Sequence, residues 1–349
     1  MFLDFMELEK DFVNVLKILS PGTSIRTVLD DLMRARMGAL IVVGTEGVLD
    51  IADGGFRMNV DFTPQRLVEL SKMDGAIILS EDMKKILYSN TLLVPDAKIK
   101  TKETGTRHQA AERTAKQTGA IVFAVSERRN KITVYYGNQK YVLDETSEIL
   151  RRATETLQIL EKQKEIFNDL MINLNILEIN NLVTLSDVCG VLQRIEIIKR
   201  ISDMVRRYLV ELGKEGIIVS MRLKELTKNL NKERETILQD YFKSKFSKVD
   251  TLLEEMNFDV LLETSDLPKI LFEELHDKSV SPRGIRILNK TNLAMGQVEL
   301  LINNFKTLDE ILNADKESLI KILKDQKIIN SLNRDIGNLR EKIMAGKLV

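Results

Sequence analysis

The chain has 349 residues, of which 44% are hydrophobic and 30% charged, and its 52 Lys and Arg balance its 52 Asp and Glu. This composition is typical of a folded protein of two or three domains and excludes a disordered chain. One cysteine and two distant histidines exclude a disulfide framework, a cysteine-ligated zinc cluster and an HExxH site.

No exported or membrane-spanning segment is predicted. The chain starts Met-Phe-Leu-Asp without a basic region, and charges interrupt every apolar run. None of these runs approaches the roughly 18 residues that a membrane helix needs. We therefore expect a cytoplasmic protein with no membrane partner. Zero net charge argues against coating of nucleic acid by the whole surface, but it leaves room for a local basic patch.

Residues 1–145 alternate helical and extended patterns and predict an α/β domain with a mixed central sheet. Ser24 is a candidate N-cap for a helix that ends at Gly38, and Thr63-Pro64 begins another. A third helix, Thr106 to Thr118, stops at Gly119. Apolar runs predict buried strands, and Gly137-Asn138 predicts a hairpin turn. The predicted strands are Ala39–Val43, Gly75–Leu79, Ala120–Val125, Lys131–Tyr136 and Gln139–Leu143.

The rest of the chain is predicted to be helical. Residues 146–280 carry apolar residues at helical spacing and contain one proline, which predicts a helical spine. Residues 281–349 predict short helices separated by tight breaks, at 292–296 and 324–330. This last segment has 12 Lys and Arg against 8 Asp and Glu, whereas the spine is net acidic. The fold class is therefore multidomain, α/β plus α.

The first candidate site is Asp74-Gly75-Ala76, where a carboxylate precedes an apolar strand. Carboxylates bind Mg²⁺ or Mn²⁺ when a phosphate supplies further oxygens. Gly75 would allow a ligand to approach the backbone closely. Taken alone the motif is weak, since Asp-Gly is also a common turn.

The second candidate site is Gly105-Thr106-Arg107-His108, at the start of a predicted helix. Free backbone N–H groups at a helix start bind anions. Arg107 and His108 are poorly placed there for the helix dipole unless a phosphate neutralises them. A merely exposed arginine and histidine are an equal alternative. The chain has neither a GxxxxGK[ST] loop nor a GxGxxG loop, which disfavours P-loop and Rossmann folds.

Together these two motifs resemble the paired DGA and GTRH signatures of diadenylate cyclase domains. The continuation Ala111–Gly119 and the run Val125–Asn130 resemble the DNA-integrity scanning (DisA) branch. The family has a cyclase domain, a helical spine and a C-terminal helix-hairpin-helix module. The resemblance thus spans nearly the whole chain and implies domains at residues 1–145, 146–280 and 281–349.

The resemblance implies that two ATP molecules are condensed into cyclic di-AMP with release of pyrophosphate, between two facing protomers of a homo-octamer. It implies Mg²⁺ or Mn²⁺ held by Asp74, and Asp74, Arg107 and His108 as the catalytic residues. It also implies contact with DNA that is branched or damaged, without sequence specificity. The implied nucleotide-binding residues are Gly75, Ala76, Leu93, Thr106, Arg107, His108, Gln109, Ala110, Ser126 and Arg128.

Two positions depart from the family pattern. Gln109 stands where the family usually has the second arginine of Arg-His-Arg, so a charge is missing. We expect ATP binding to persist and turnover to weaken. In the C-terminal module Gly296 is kept in the first break, but the second has no glycine. There Lys324 and Lys327 are the candidate DNA contacts, with a solvated helix end as an equal alternative.

Two rival functions remain open. A structural DNA-binding protein whose nucleotide pocket only senses ATP would form no cyclic di-AMP. A nucleotidyltransferase that uses one ATP and another acceptor would be active as a monomer. Cys189 is expected to be a buried small hydrophobe, and His276 a solvated residue.

Overall fold

The computed structural model describes residues 10–44, 46–129, 131–242, 246–262, 267–272 and 278–347. His276 and Asn130 lie outside the described residues. The chain forms two compact units, one containing residues up to Thr154 with Arg206–Ser220, the other Glu155–Val205 with the residues from Met221 onward. None of the helices in the described ranges is long and apolar enough to cross a lipid bilayer.

The first unit is built on a mixed β-sheet, as predicted. Its strands are β1 (Ala39–Val43), β2 (Ala52–Asp53), β3 (Phe56–Asp61), β4 (Ala76–Leu79), β5 (Lys85–Leu93), β6 (Ile121–Ser126), β7 (Lys131–Tyr136) and β8 (Gln139–Leu143). Their order is β2-β5-β4-β1-β6-β7-β8, and β3 also pairs with β5. Among the strand pairs of the described residues, β1 and β4 form the parallel one and the others are antiparallel. The predicted hairpin is β7–β8, and the sequence did not predict β2, β3 or β5.

Helices cover both faces of this sheet. They are α1 (Lys10–Ile18), α2 (Ser24–Arg34), α3 (Glu46–Leu49), α4 (Pro64–Leu70) and α5 (Thr106–Thr118). One core cluster packs α1, α2 and α4 against the strand residues that point to one face of the sheet. The other packs α5 against the residues that point to the opposite face. Ile41 and Phe123 lie in the first cluster, Val42 and Ala124 in the second. Coverage on both sides agrees with the sequences of these strands: β1 and β4 are apolar throughout, and β6 is apolar up to its last residue, Ser126.

In the first unit, the predicted start of α4 and the predicted ends of α5 are confirmed, and those of α2 are wrong. Thr63 caps α4 with Pro64 in its first turn, and α5 ends at Gly119 in the left-handed conformation. In α2 the cap is Thr23, whose hydroxyl accepts from Arg26 N at 3.3 Å, so the prediction of Ser24 is wrong by one residue. The same helix ends at Arg34, before the predicted stop at Gly38.

The described part of the second unit is mainly helical, and the beginning of α6, the end of α7 and the beginning of α8 belong to the first unit. The helices are α6 (Thr146–Ile179), α7 (Leu185–Leu212), α8 (Ile217–Leu226), α9 (Leu230–Phe242), α10 (Phe246–Glu255), α11 (Phe258–Leu262), α12 (Leu267–Phe272), α13 (Ile285–Leu288), α14 (Met295–Asn304), α15 (Leu308–Leu312), α16 (Lys316–Leu323) and α17 (Gln326–Met344). Cys189 is buried, as expected.

Buried polar groups of the second unit join α13 to α6 and α9. Arg286 forms an ion pair with Glu178, and both side chains are fully buried. Arg286 also donates to Asn175 Oδ1 at 2.5 Å. The Asp240 carboxylate accepts hydrogen bonds from the backbone N–H groups of Gly284, Ile285 and Arg286 at 2.7–2.9 Å. Satisfied buried charges of this kind fix one arrangement of the helices.

Candidate functional site

The two candidate motifs meet at one edge of the mixed sheet. Leu40 pairs with Ala76 in parallel register, and Ala39 pairs with Val125 in antiparallel register. The start of β1, the start of β4 and the end of β6 therefore lie side by side. This register brings Asp74 and Ser126 to the edge at which Gly38 precedes β1, and Arg107 at the start of α5 lies against Gly38.

Gly75 packs closely against the backbone of β5. Its φ is +88°, which favours glycine, and a Cβ would lie 2.9 Å from the backbone of Asn90 and of Thr91. The fold therefore gives its own reason for a glycine at this position, and approach of a ligand to its backbone stays a prediction. The residue instead lets the chain turn into β4 directly after Asp74, which leaves the Asp74 side chain exposed at the sheet edge.

The start of α5 offers an uncapped helix N-terminus, as predicted. Gly105 is the N-cap and supplies no side-chain acceptor. The first hydrogen bond of the helix is donated by Gln109 N to Gly105 O at 2.8 Å. The N–H groups of Thr106, Arg107 and His108 consequently have no acceptor within the helix. Such a terminus, with an arginine beside it, is suited to a phosphate.

His108 lies among groups that the sequence analysis missed. Its ring meets the ring of Tyr135 edge to face, with centroids 6.5 Å apart. Burial lowers the pKa of His108, the nearby Glu103 carboxylate raises it, and the cations of Lys140, Arg107 and Arg129 lower it further. The result is a pKa below the usual value, so the imidazole is mainly neutral at pH 7.

Glu103 is the acidic member of this group. Its carboxylate pairs with Lys140, on the strand opposite Tyr135. Burial opposes ionisation of Glu103, but Lys140 and Tyr135 outweigh it and hold the pKa below the usual value. The sequence predicted the hairpin that brings Tyr135 opposite Lys140, but not this pair. No signal in the sequence linked Glu103 to either residue.

The outer face of α5 holds the segment that connects it to β5. Gln109 Nε2 donates to Glu103 O at 2.9 Å, and Arg113 Nε donates to Ile99 O at 3.0 Å. At the far end, the Gln117 side chain accepts from Asp96 N at 2.8 Å. The buried face of α5 packs on the sheet through Ala111, Thr114 and Ala115. One helix thus fixes both the site and the loop in front of it.

The remaining predicted nucleotide-binding residues differ in what they expose. Leu93 is 7% exposed and belongs to the core, as do Ala76 and the partly buried Ala110, so their side chains are largely covered by the protein itself. Ser126 is half-buried and its Oγ accepts from Arg129 N at 3.3 Å. Arg128 is exposed in the turn after β6.

The acidic residues at this edge fit a phosphate-bound Mg²⁺ or Mn²⁺ and not a metal held by protein ligands alone. In the described parts of the chain, no three His, Cys, Asp or Glu side chains form a metal-binding cluster. Mg²⁺ in nucleotide sites commonly takes one or two carboxylates and completes its shell with phosphate oxygens and water. Asp74 alone is a sufficient protein ligand for that arrangement.

The C-terminal module differs from the prediction at both breaks. Met295 and Gly296 already belong to the first turn of α14, and a Cβ at Gly296 would meet nothing within 4 Å. The second break is only Lys324-Asp325, so Lys327 is helical. Lys324 adopts the left-handed conformation, with φ +54°, in place of a glycine.

Asp325 has a direct consequence for anion binding at the second break. Its Oδ1 accepts from Lys327 N at 2.7 Å. The carboxylate therefore occupies the N-terminus of α17, where a DNA phosphate would need the same N–H group. By contrast, Ala294 before α14 has no side-chain acceptor, and that terminus is open apart from Gln297 Oε1, which accepts from Ala294 N at 2.9 Å.

A mixed sheet with a carboxylate and an uncapped, arginine-bearing helix start at one edge defines a nucleotide-binding domain. Comparison with known proteins agrees. Residues 26–140 match the family model described as DisA bacterial checkpoint controller nucleotide-binding, DAC. Residues 143–273 match the DisA bacterial checkpoint controller linker region.

Whole-chain relatives establish the family. The chain is 44% identical over 329 residues to the DNA integrity scanning protein DisA of Clostridioides difficile, covering 92% of this chain and 91% of that relative. It is 42% identical over 351 residues to DisA of Clostridium kluyveri, covering 97% and 98%. DacA from Staphylococcus aureus is a solved structure with 25% identity and a TM-score of 0.31, covering 39% of this chain and 91% of that one. The chain belongs to the DisA family, and its first domain is a diadenylate cyclase domain, a nucleotidyltransferase.

Proposed function

We propose that the protein condenses two ATP molecules into cyclic di-AMP and two pyrophosphates, and that it couples this reaction to contact with DNA. One observation supports the proposal: the Asp74 carboxylate and the uncapped start of α5, whose Arg107 lies against Gly38, belong to the same domain edge. Each step forms a bond between the 3′-oxygen of one ATP and the α-phosphorus of the other, and pyrophosphate leaves.

The chain's own groups supply positioning and charge neutralisation. The free N–H groups at the start of α5 and the Arg107 guanidinium bind the phosphates. His108, mainly neutral, donates a hydrogen bond without adding a full charge. Asp74 would hold the divalent cation and would favour deprotonation of the 3′-hydroxyl. When bound, the cation neutralises charge on the phosphates and on the leaving pyrophosphate.

The reaction requires two domains. One ATP site supplies a single 3′-hydroxyl and a single α-phosphorus, so two sites must face each other for two reciprocal attacks. We propose a homo-oligomer, an octamer as in the family resemblance, with domains at 1–145, 146–280 and 281–349. Activity per mole of protein should therefore fall on dilution. Constant activity in a dilute monomer would favour transfer to another acceptor.

We further propose that DNA contacts are made at the start of α14. Glycine weakens a helix, and Gly296 has no packing reason to be there. An open, uncapped helix start lets a phosphate backbone approach. Because Asp325 closes the equivalent position of α17, contact at Lys324 and Lys327 depends on side-chain charge. Binding should be independent of sequence and weaken steeply with salt.

The test is product formation with a matched pair of variants. Purified protein is incubated with ATP and Mg²⁺ or Mn²⁺, and cyclic di-AMP is measured by mass spectrometry. Asp74→Asn should abolish product without changing the melting temperature. Asp61→Asn is the control, because Asp61 lies opposite Lys85 in the register of β3 and β5, at the end of β5 that is far from Asp74. No product from the unaltered protein, with ATP binding and DNA binding intact, supports an ATP sensor instead.

A further inference from the structure

We propose that Gly38 is a positioning residue that sets the location of the Arg107 guanidinium, an inference that rests on the proposed function. A Cβ at Gly38 would overlap Arg107 Nη1 and lie 3.0 Å from Cζ and 3.3 Å from Nη2. The guanidinium therefore occupies the space that any other residue at position 38 would fill. No motif in the sequence connected these two residues.

The space that Arg107 occupies explains why position 38 is a glycine, because the backbone conformation there does not require one. Gly38 lies outside the left-handed conformations that favour glycine. At Gly75 and Gly44, by contrast, a Cβ would strike main-chain atoms at 2.9 Å and 2.6 Å. At Gly38 the obstructed group is only the far end of a flexible side chain. Alanine there should leave the fold intact and displace Arg107.

The location of Gly38 makes this displacement matter. Gly38 precedes β1, which lies between β4 and β6 at the centre of the sheet. The register places the start of β1 between the residues leading into β4, which include Asp74, and the end of β6, which includes Ser126. The contact with Gly38 thus fixes a cation of α5 at the middle of the edge where the nucleotide phosphates are proposed to lie.

Arg107 is positioned there by shape and not by a counter-ion. Within the described ranges, no carboxylate forms an ion pair with Arg107. An arginine that is already paired would have to break that pair to bind a phosphate, whereas Arg107 keeps its five donors available. Preorganisation without a competing anion is what a phosphate site requires.

The experiment is a double-mutant cycle of Gly38→Ala and Arg107→Ala, with Gly47→Ala as the matched control. A Cβ at Gly47 makes only ordinary contacts, at 3.7 Å from Thr118. We expect Gly38→Ala to lower kcat/KM for cyclic di-AMP formation on the order of 10- to 100-fold, since a shift of about 1 Å in a positioned group has that effect. The melting temperature of Gly38→Ala should equal that of the unaltered protein. The activity of Gly47→Ala should also equal that of the unaltered protein.

The cycle separates positioning from a general structural effect. In the Arg107→Ala background, Gly38→Ala should cause no further loss, because the displaced group is already gone. Losses that multiply, or full activity of Gly38→Ala, would overturn the inference. If the unaltered protein binds ATP but forms no product, the cyclase proposal fails. The same cycle is then measured on ATP affinity by calorimetry, where the same non-additivity is expected. Absence of ATP binding contradicts both proposals.

Discussion

Gln109 Nε2 donates a 2.9 Å hydrogen bond to the main-chain oxygen of Glu103. The residue that departs from the family's Arg-His-Arg pattern thus holds the loop in front of the site. Glu103 in turn pairs with Lys140 and lies close to His108. Gln109, the residue that departs from the family pattern, therefore has a hydrogen-bond partner in Glu103. The effect of changing Gln109 can be tested through this hydrogen bond.

Gln109→Leu should lower kcat/KM several-fold, because leucine has a similar size but cannot donate to Glu103 O. Gln109→Arg should preserve or raise activity, since arginine donates and adds a charge near the phosphates. Steady-state kinetics of both variants provide the measurement, with Gln65→Leu on the exposed part of α4 as control. A clear loss in Gln109→Arg would instead show that glutamine is adapted to this site.

Glu103→Gln should lower the pKa of His108 further. Burial already lowers this pKa, and the Glu103 carboxylate is the group that opposes the decrease. The protonated fraction of His108 at pH 6 should consequently fall. The chain has two histidines, so NMR titration in a His276→Asn background reports His108 alone. Glu81→Gln should leave the titration unchanged, and an upward shift in Glu103→Gln would contradict this assignment.

Glu211 should make the first unit less stable at alkaline pH. Burial raises the pKa of Glu211 to about 7, although Tyr141 donates a 2.7 Å hydrogen bond to it. When folding raises a carboxyl pKa, its contribution to the free energy of unfolding is fully present below the pKa of the unfolded chain, 4.5. This contribution is lost as the pH rises through the folded pKa of about 7. Glu211→Gln should therefore gain melting temperature relative to the unaltered protein at pH 8 but not at pH 4.5. An equal difference at both pH values would refute this.

Arg286→Met should destabilise the second unit by about 3–5 kcal/mol, because it leaves the Glu178 carboxylate buried and unpaired. The control is Arg334→Met, whose side chain is 70% exposed; that change should stay within about 0.5 kcal/mol. Urea denaturation monitored by circular dichroism measures both. The double variant Glu178→Gln/Arg286→Met should recover part of the loss. If Arg286→Met were no worse than the control, the buried pair would have no role in stability.

Asp325→Gly should strengthen DNA binding at low salt. It removes a negative charge and frees the Lys327 N–H that the carboxylate now occupies. One additional phosphate contact should steepen the slope of log K against log salt by about 0.9. Asp315→Gly removes a comparable cap from α16 and serves as control. Fluorescence anisotropy with unrelated duplexes at several salt concentrations is the measurement; equal slopes in both variants would contradict the assignment.

Elements with a local sequence signal were predictable from the sequence. The bounds of α5 follow from Gly105 and Gly119, one a cap and the other a left-handed stop. β1 and the β7–β8 hairpin follow from an apolar run and from a turn. β5, Lys85–Leu93, was not predictable in this way, because its mixed polar sequence becomes a strand through pairing with β3 and β4.

The candidate site was predictable in its motifs but not in its neighbours. Asp74 and Arg107 belong to recognisable sequence patterns. Glu103 and Gly38 are ordinary residues until the tertiary fold brings the first to His108 and the second beneath Arg107. Lys324 was read as part of a longer break, because a left-handed lysine has no distinctive sequence signal.

The most direct test of the central claim is the stoichiometry of the reaction. Full-length protein is incubated with ATP and Mg²⁺, and pyrophosphate and cyclic di-AMP are quantified together across a dilution series. The account predicts about two pyrophosphates per cyclic di-AMP, because each of the two reciprocal attacks releases one, and a specific activity that falls on dilution. Pyrophosphate release without cyclic di-AMP, at a specific activity independent of concentration, would contradict it.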